Sequence, residues 1–175
     1  MTIEKAVLAA GCFWCIEAPM QELKGVKQVL SGYMGGGIPN PSYQQICSGS
    51  TGHAEVIEVT FDNEVISYED ILAVFFALHD PTQLNRQGND VGSQYRSAIF
   101  YADQLQLTKA QQYIGISYRE NSQKIVTTLE PLQTFYIAED VHQNYYQNNP
   151  YQPYCQIMIA PKMAKLAHLF TDKLK

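Results

Sequence analysis

The sequence has little positive charge and lacks long hydrophobic runs. Twelve Lys and Arg residues stand against seventeen Asp and Glu, and the formal net charge is −5. A surface of this kind is poorly suited to neutralise phosphates or anionic lipid headgroups, so we expect neither nucleic acid nor a membrane as a partner. The longest unbroken apolar run, residues 71–78, is far shorter than the ~18 residues of a membrane span.

The N-terminus also lacks the features of a secretion signal. Residues 1–5 have neither a basic n-region nor a long apolar core, so we expect a cytoplasmic protein. Four cysteines in 175 residues are too few for a disulfide scaffold. In a reducing compartment they are expected to be reactive thiols, metal ligands or core residues.

The length and the apolar patterns predict one domain with both strands and helices. A chain of this length can bury one core but not two ordinary ones, so residues 1–175 are predicted to form a single domain. Strand-like and helix-like segments alternate, which favours a sheet with helices packed on it. The tyrosine-rich segment 143–160 is predicted to wrap the surface, and 161–173, which begins with a proline, is predicted to be a terminal helix.

The stretch AGCFWCIE places Phe13 and the only tryptophan, Trp14, between two cysteines. It follows an apolar run that is typical of a buried strand. A helix is predicted to begin at or just after Cys12, where the helix dipole and free N–H groups favour a thiolate. Cys15 lies one helical turn later on the same face, which is close enough for a disulfide.

A C-x-x-C pair alone is compatible with redox chemistry and with zinc binding. A tetrahedral zinc site needs two more ligands, for which Cys47, His53 and Cys155 are the candidates, but no second pair has the close spacing of a zinc knuckle. Cys47 is most simply a core residue. A general dithiol–disulfide oxidoreductase and a zinc-binding module therefore stay open as alternatives.

The predicted strand 53–61 (HAEVIEVTF) carries a carboxyl group on its apolar face. Alternate side chains of a strand point to opposite sides, so Glu55 shares a face with Ile57, Val59 and Phe61. Burial would raise the pKa of this carboxyl and make Glu55 a candidate proton donor near neutral pH. The pattern is equally compatible with an exposed strand end, where Glu55 would be an ordinary surface residue.

From about residue 10 to residue 160, the sequence resembles the A-type peptide-methionine sulfoxide reductases. The matching blocks, in family order, are GCFW (11–14), GYMGG (32–36), NPSY (40–43), CSGSTGHAE (47–55), HDP (79–81), RQGNDVGSQYRS (86–97) and AEDVHQ (138–143). So many ordered matches over nearly the whole chain are not expected by chance. The resemblance implies repair of oxidised methionine by thiol chemistry.

The resemblance also implies the residues of a methionine sulfoxide site. The implied catalytic residues are Cys12 as nucleophile, Glu55 as the acid beside the sulfoxide oxygen, Tyr43 and Tyr95 as hydroxyl donors to that oxygen, and Asp90 as a polar member of the site. Phe13 and Trp14 are implied to line the pocket for the substrate methyl group. Methionine sulfoxide joins a polar S=O to an apolar methyl, so its site needs both buried donors and an aromatic wall.

The expected reaction reduces the S epimer, free or in oxidised proteins, through a sulfenic acid on Cys12 and an intramolecular disulfide. Many relatives carry glycine at the position of Cys15 and use a cysteine in a glycine-rich C-terminal segment. Here the corresponding segment, 149–155 (NPYQPYC), has an extra residue and a proline in place of the flexible glycine. We therefore favour Cys15 as the resolving thiol, with Cys155 as a direct or relay resolver otherwise.

With the resemblance, the expected fold class is α+β: a single-domain, two-layer α/β sandwich of the ferredoxin-like type, with helices packed on a mixed sheet. Thioredoxin or a small dithiol is the expected reductant, and we expect a monomer. The expected chemistry requires no metal or organic cofactor.

Overall fold

A computed structural model describes residues 2–175, apart from the side chain of residue 121. The strands are β1 (Ile3–Ala10), β2 (Val26–Met34), β3 (Ala54–Asp62), β4 (Arg86–Gln87), β5 (Asp90–Val91), β6 (Ser97–Tyr101), β7 (Thr128–Pro131) and β8 (Tyr136–Ile137). The helices are α1 (Phe13–Gln21), α2 (Tyr43–Cys47), α3 (Tyr68–Leu78), α4 (Gln104–Asn121), α5 (Tyr145–Asn148) and α6 (Ala160–Leu169). None of the helices in the described range is long and apolar enough to cross a membrane.

Six of the strands form one sheet, in the order β7-β6-β1-β3-β2-β8, and β4 and β5 form a separate hairpin. The four central strands pair antiparallel, whereas β7 runs parallel to β6, so the sheet is mixed. The succession β1-α1-β2-β3-α3-β6 with this strand order is the ferredoxin-like arrangement. The predicted α+β fold class is confirmed.

Strand alternation separates the apolar residues of the sheet into two sets. In β1, Ala6 and Leu8 pack with the apolar residues of α1, α3 and α4, whereas Val7 and Ala9 belong to a smaller cluster on the opposite face. The helices therefore cover one face of the sheet, which gives the predicted two layers. Ser67 caps the N-terminus of α3: its side chain accepts the N–H of Asp70, while the Asp70 carboxylate accepts the N–H of Ser67.

A glycine makes the turn that leads from β1 into α1. Gly11 has φ +89°, and a Cβ on it would lie 2.6 Å from Cβ of Gln87, so both the backbone conformation and the space require glycine. The chain can therefore leave the sheet and enter the helix within two residues. This places Cys12 directly before Phe13, the first residue of α1.

The C-terminal segment is helical earlier than the sequence predicted. Within 143–160, residues Cys155–Ile159 form a π-helical turn that runs directly into α6, which ends at Leu169. Cys155 and Ile159, four residues apart, are both fully buried. These two residues form the buried face of the turn. The residues around them are mostly Tyr, Asn, Gln and Pro, so the sequence shows no helical apolar pattern there.

Candidate active site

The predicted catalytic residues converge where β1 passes into α1. Because β1 and β3 are antiparallel, with Leu8 opposite Ile57, the end of β1 lies beside the beginning of β3. Glu55 on β3 therefore lies next to the first turn of α1. Its Oε1 accepts a hydrogen bond from the backbone N–H of Phe13 at 3.0 Å, which joins the two sequence segments that carry the candidate chemistry.

Glu55 is buried, and its environment favours the neutral acid. The residue is 1% exposed, so the alternative of an exposed strand end is excluded. Burial raises the pKa of Glu55 to about 8; the charge of Asp90 adds to the rise, and the hydrogen bond from Phe13 opposes it. Oε2 has no hydrogen-bond partner among residues 2–175. At neutral pH the group therefore offers a proton on an oxygen that no described protein group engages.

Cys12 and Cys15 are a pair of free, buried thiols, 8% and 6% exposed, that lie in one buried cluster, and the Cys15 N–H donates to the Cys12 carbonyl oxygen at 3.1 Å. Burial raises the pKa of Cys12, and the hydrogen bond with Cys15 and the charge of Glu55 raise it further. The Cys12 side chain caps no N–H group of α1. The thiolate predicted from the helix N-terminus is therefore not favoured in the free protein, because burial disfavours the charged form. The hydrogen bond from Cys12, by contrast, lowers the pKa of Cys15.

Tyr43 and Tyr95 bring phenol groups into electrostatic range of the same carboxyl. Burial raises the pKa of both, and the charge of Glu55 is the next largest cause in each case, so both phenols stay protonated and able to donate. Tyr43 is the first residue of α2, and its N–H donates to Oε2 of Glu139 at 3.0 Å. Tyr95 packs at the edge of the buried cluster that contains Cys12.

Aromatic rings form a wall beside the thiols. Phe13 is fully buried, with its ring centroid 5.7 Å from that of Tyr33. Trp14 is half-buried; its ring lies 3.7 Å from that of Tyr145 with planes 7° apart, and its Nε1 donates to Nδ1 of His142 at 3.3 Å. The sequence predicted that the tyrosines of the C-terminal segment pack, but not that Tyr145 stacks on Trp14.

The C-terminal segment also contributes residues to the site. Oη of Tyr154 lies 3.3 Å from Sγ of Cys15 and donates to Oδ2 of Asp90 at 3.0 Å. Cys155 is 0% exposed and belongs to the same cluster as Cys12 and Cys15. Sequence reasoning missed Tyr154, although its place directly before a candidate resolving thiol was an available signal.

The described residues do not support the zinc alternative. No three His, Cys, Asp or Glu side chains in the described range are grouped to hold a metal ion. Nδ1 of His53 accepts the N–H of Gly36 at 3.0 Å, and its Nε2 lies 2.7 Å from the carbonyl oxygen of Ile38, so both ring nitrogens have backbone partners. The prediction that Cys47 is a core residue is wrong, because this thiol is exposed at the end of α2.

The arrangement is chemically specific. It combines a nucleophilic sulfur with a neutral carboxylic acid, two phenols and an aromatic wall. These groups can protonate and polarise an oxygen while sulfur attacks the atom that carries it. A general dithiol–disulfide oxidoreductase would have no use for the buried acid or for the phenols.

Comparisons with known proteins agree with this chemistry. The family model for peptide methionine sulfoxide reductase matches residues 4–174. The chain is 56% identical over 174 residues to peptide methionine sulfoxide reductase MsrA of Deinococcus radiodurans, covering 98% of this chain and 84% of the relative. It is 50% identical over 173 residues to the MsrA of Saccharolobus solfataricus, covering 99% and 98%. The crystal structure of Mxr1 from Saccharomyces cerevisiae in reduced form is similar with a TM-score of 0.83 at 34% identity, covering 87% of this chain and 89% of that one.

Proposed function

Because the chain belongs to the peptide methionine sulfoxide reductase family, and is a thiol-dependent oxidoreductase that reduces methionine sulfoxide, we propose that Cys12 is the thiol that attacks the sulfoxide. The observation that carries this proposal is the buried Glu55 beside the first turn of α1: burial raises its pKa to about 8, and its Oε2 has no hydrogen-bond partner among residues 2–175. Sulfoxide oxygen is a poor leaving group unless it is protonated. A neutral carboxyl beside a nucleophilic thiol supplies that proton.

In the proposed first step, Sγ of Cys12 attacks the sulfur of the substrate, and Glu55 protonates the oxygen. Tyr43 and Tyr95 donate hydrogen bonds to the same oxygen and stabilise its developing charge. The protonated oxygen then moves from the substrate sulfur to Sγ of Cys12: the old S–O bond and the transient S–S bond break, a new S–O bond forms, methionine is released, and Cys12 becomes a sulfenic acid. Cys12 supplies the two electrons, and its thiol proton replaces the one that Glu55 gave. No metal or organic cofactor is needed for this step.

We propose that the remaining site residues recognise the substrate. The half-buried Trp14 presents apolar ring surface to the methyl group, the fully buried Phe13 packs beside it with ring centroids 6.4 Å apart, and Tyr145 stacks on Trp14. Asp90 accepts the hydroxyl of Tyr154, which makes it a polar member of the site near Cys15. The substrate sulfur is thereby confined between an aromatic wall and a set of hydrogen-bond donors.

We propose that the S epimer of methionine sulfoxide is the substrate, both free and in oxidised proteins. The test is dithiothreitol-driven reduction of separated S and R epimers of a blocked methionine sulfoxide by wild-type protein. Only the S epimer is expected to give methionine. Reduction of the R epimer at a similar rate would contradict the stereochemical proposal, and reduction of neither epimer by fully reduced, folded protein would contradict the function.

We propose that Cys15 resolves the sulfenic acid, because it lies in the same helical turn as Cys12, with its N–H donating to the Cys12 carbonyl oxygen at 3.1 Å, whereas Cys155 is held in the π-helical turn of the C-terminal segment. In a single turnover without reductant, Cys15→Ser should form the intramolecular disulfide at least about tenfold more slowly than wild type, since access and geometry govern exchange. Cys155→Ser should form it at close to the wild-type rate. Alkylation followed by mass spectrometry identifies the bonded pair.

If the Cys15→Ser protein instead forms a stoichiometric disulfide at the wild-type rate, Cys155 is the resolver.

Whichever cysteine resolves the sulfenic acid, an external dithiol must reduce the resulting disulfide. We propose thioredoxin for this role, with a small dithiol as its substitute in vitro. The proposed enzyme acts as a monomer, because one chain supplies the whole site, and in the cytoplasm, where thiols are kept reduced.

A further inference from the structure

The hydroxyl group of Tyr154 lies between the second thiol and a carboxylate. Its Oη is 3.3 Å from Sγ of Cys15 and 3.0 Å from Oδ2 of Asp90. The ring is edge-on to Trp14, with centroids 5.8 Å apart and planes at 80°, which restricts where the hydroxyl can point. Neither the attack on the sulfoxide nor the protonation of its oxygen uses this tyrosine.

A phenol has one hydrogen, and here the neighbours determine its direction. Tyr154 donates that hydrogen to Oδ2 of Asp90. The lone pairs of Oη then face Cys15, whose S–H group donates to them. The reduced protein therefore contains an uninterrupted chain of hydrogen bonds that runs from the S–H of Cys15, through the phenol, to the carboxylate.

We propose that Tyr154 is a catalytic residue of the disulfide-forming step and relays the proton of Cys15 toward Asp90. The inference rests on the proposed function, since it takes Cys12 as the oxidised thiol and Cys15 as the resolver. In this step a bond forms between the two sulfurs, and the S–O bond of the sulfenic acid breaks. The Cys15 proton passes to Oη while the phenol hydrogen passes to Asp90. The leaving hydroxide takes a proton from Glu55 and departs as water.

The step balances without an external oxidant or reductant. The sulfur of Cys15 is oxidised and that of Cys12 is reduced, both to the level of the disulfide. Asp90 then releases its proton to solvent and Glu55 regains one, so no net proton is consumed. The relay is useful because a thiol attacks far more slowly than a thiolate, and its S–H becomes strongly acidic only as the S–S bond forms. Burial, and then Cys12 and Cys15, raise the pKa of Tyr154, so the phenol stays protonated and can pass a proton on.

Other ionisable groups also face Cys15. The hydrogen bond from Cys12 lowers the pKa of this thiol, as does the positive charge of Lys162 on α6, whereas burial and the charge of Asp90 raise it. Cys155 lies close enough for Cys15 to affect its pKa. Replacing Tyr154 by phenylalanine leaves all these groups in place and removes one hydroxyl, so the comparison with wild type isolates the relay.

The test is a single turnover of fully reduced Tyr154→Phe protein with a blocked S sulfoxide and no reductant. Rapid quenching measures the methionine released, the sulfenic acid trapped by dimedone and the intramolecular disulfide. Methionine release should stay within about threefold of wild type, whereas disulfide formation should slow by about tenfold or more. The sulfenic acid should then accumulate. The slowed step should accelerate as pH rises from about 6 to 7.5, a range in which Glu55 stays protonated, because the variant depends on direct ionisation of Cys15, while the wild-type step changes little.

Two further variants complete the test. Tyr151→Phe is the matched control, because this side chain is 89% exposed, and both of its rates should equal those of wild type. Asp90→Asn keeps the shape but cannot take a proton, so it should also accumulate the sulfenic acid, which tests the relay even if Tyr154→Phe does not fold. Disulfide formation at the wild-type rate in both variants, or slowing without the pH dependence, would overturn the inference. Rapid disulfide formation in Cys15→Ser would contradict the choice of resolver instead.

Discussion

Replacing Cys12 by serine is expected to abolish reduction of the S sulfoxide, with a loss of more than about 10³-fold. A serine hydroxyl has no polarisable sulfur to attack the substrate, and its oxygen cannot accept the sulfoxide oxygen and become the equivalent of a sulfenic acid. The loss should already appear in the first turnover, as absent methionine release in a rapid-quench experiment. Dithiothreitol would not restore methionine release, because the missing step, attack on the sulfoxide, comes before the step in which the reductant acts.

Cys47→Ser is the matched control for this experiment. Cys47 is an exposed thiol at the end of α2, outside the buried cluster that contains Cys12. Its first-turnover rate should equal that of wild type. If Cys12→Ser retained a substantial rate, or if Cys47→Ser lost it, the oxidised sulfur would have to be sought among the other cysteines, by trapping the sulfenic acid and mapping it.

Local sequence rules were sufficient for the part of the site that lies on β1, α1 and β3. Strand alternation put Glu55 on the apolar face of β3, and the sheet buries that face beneath α1. The helix predicted to begin at or just after Cys12 does begin at Phe13, after the turn at Gly11. The antiparallel pairing that brings Glu55 beside Phe13 is a property of the ferredoxin-like topology, which the family resemblance supplied and the residue pattern alone could not.

The remaining parts of the site depend on contacts between distant segments. Tyr154 lies 139 residues from Cys15 along the chain, and no local rule relates the two. The π-helical turn that begins at Cys155 was not predicted, because the residues around it are mostly polar. Its buried face consists only of the residues at positions 155 and 159. The protonation of Cys12 was mispredicted for the same reason. The helix N-terminus is a local effect, whereas burial and the neighbouring carboxyl are tertiary effects that raise the pKa of the thiol.

Replacing Glu55 by glutamine is expected to slow methionine release in the first turnover by about 10²- to 10⁴-fold, because the amide can donate a hydrogen bond to the sulfoxide oxygen but cannot transfer a proton. Wild type should show a pH break that the variant lacks. The pKa of Glu55 is raised to about 8, so the wild-type acid is protonated below that pH, and the rate should fall as pH rises through it. Single-turnover rates from about pH 6 to 9.5 test both expectations.

Glu55→Gln should slow the reaction but stabilise the folded protein, so a loss of activity can be distinguished from a loss of fold. The folded pKa of Glu55, about 8, lies above the ordinary value of 4.5, so unfolding exposes a carboxyl that ionises more readily. Wild-type stability should therefore fall as pH rises from about 4.5 to about 8, and Glu55→Gln should unfold at a higher temperature than wild type above that range.

Glu58→Gln is the matched control for the rate measurement, because Glu58 points to the other side of β3 and its carboxylate pairs with Lys5 at 3.2 Å. Its release rate should stay within about twofold of wild type, as for most changes outside the reacting groups. A Glu55→Gln protein that kept the wild-type rate and its pH break would assign the proton to another group, and Tyr43 and Tyr95 would then be the next residues to replace.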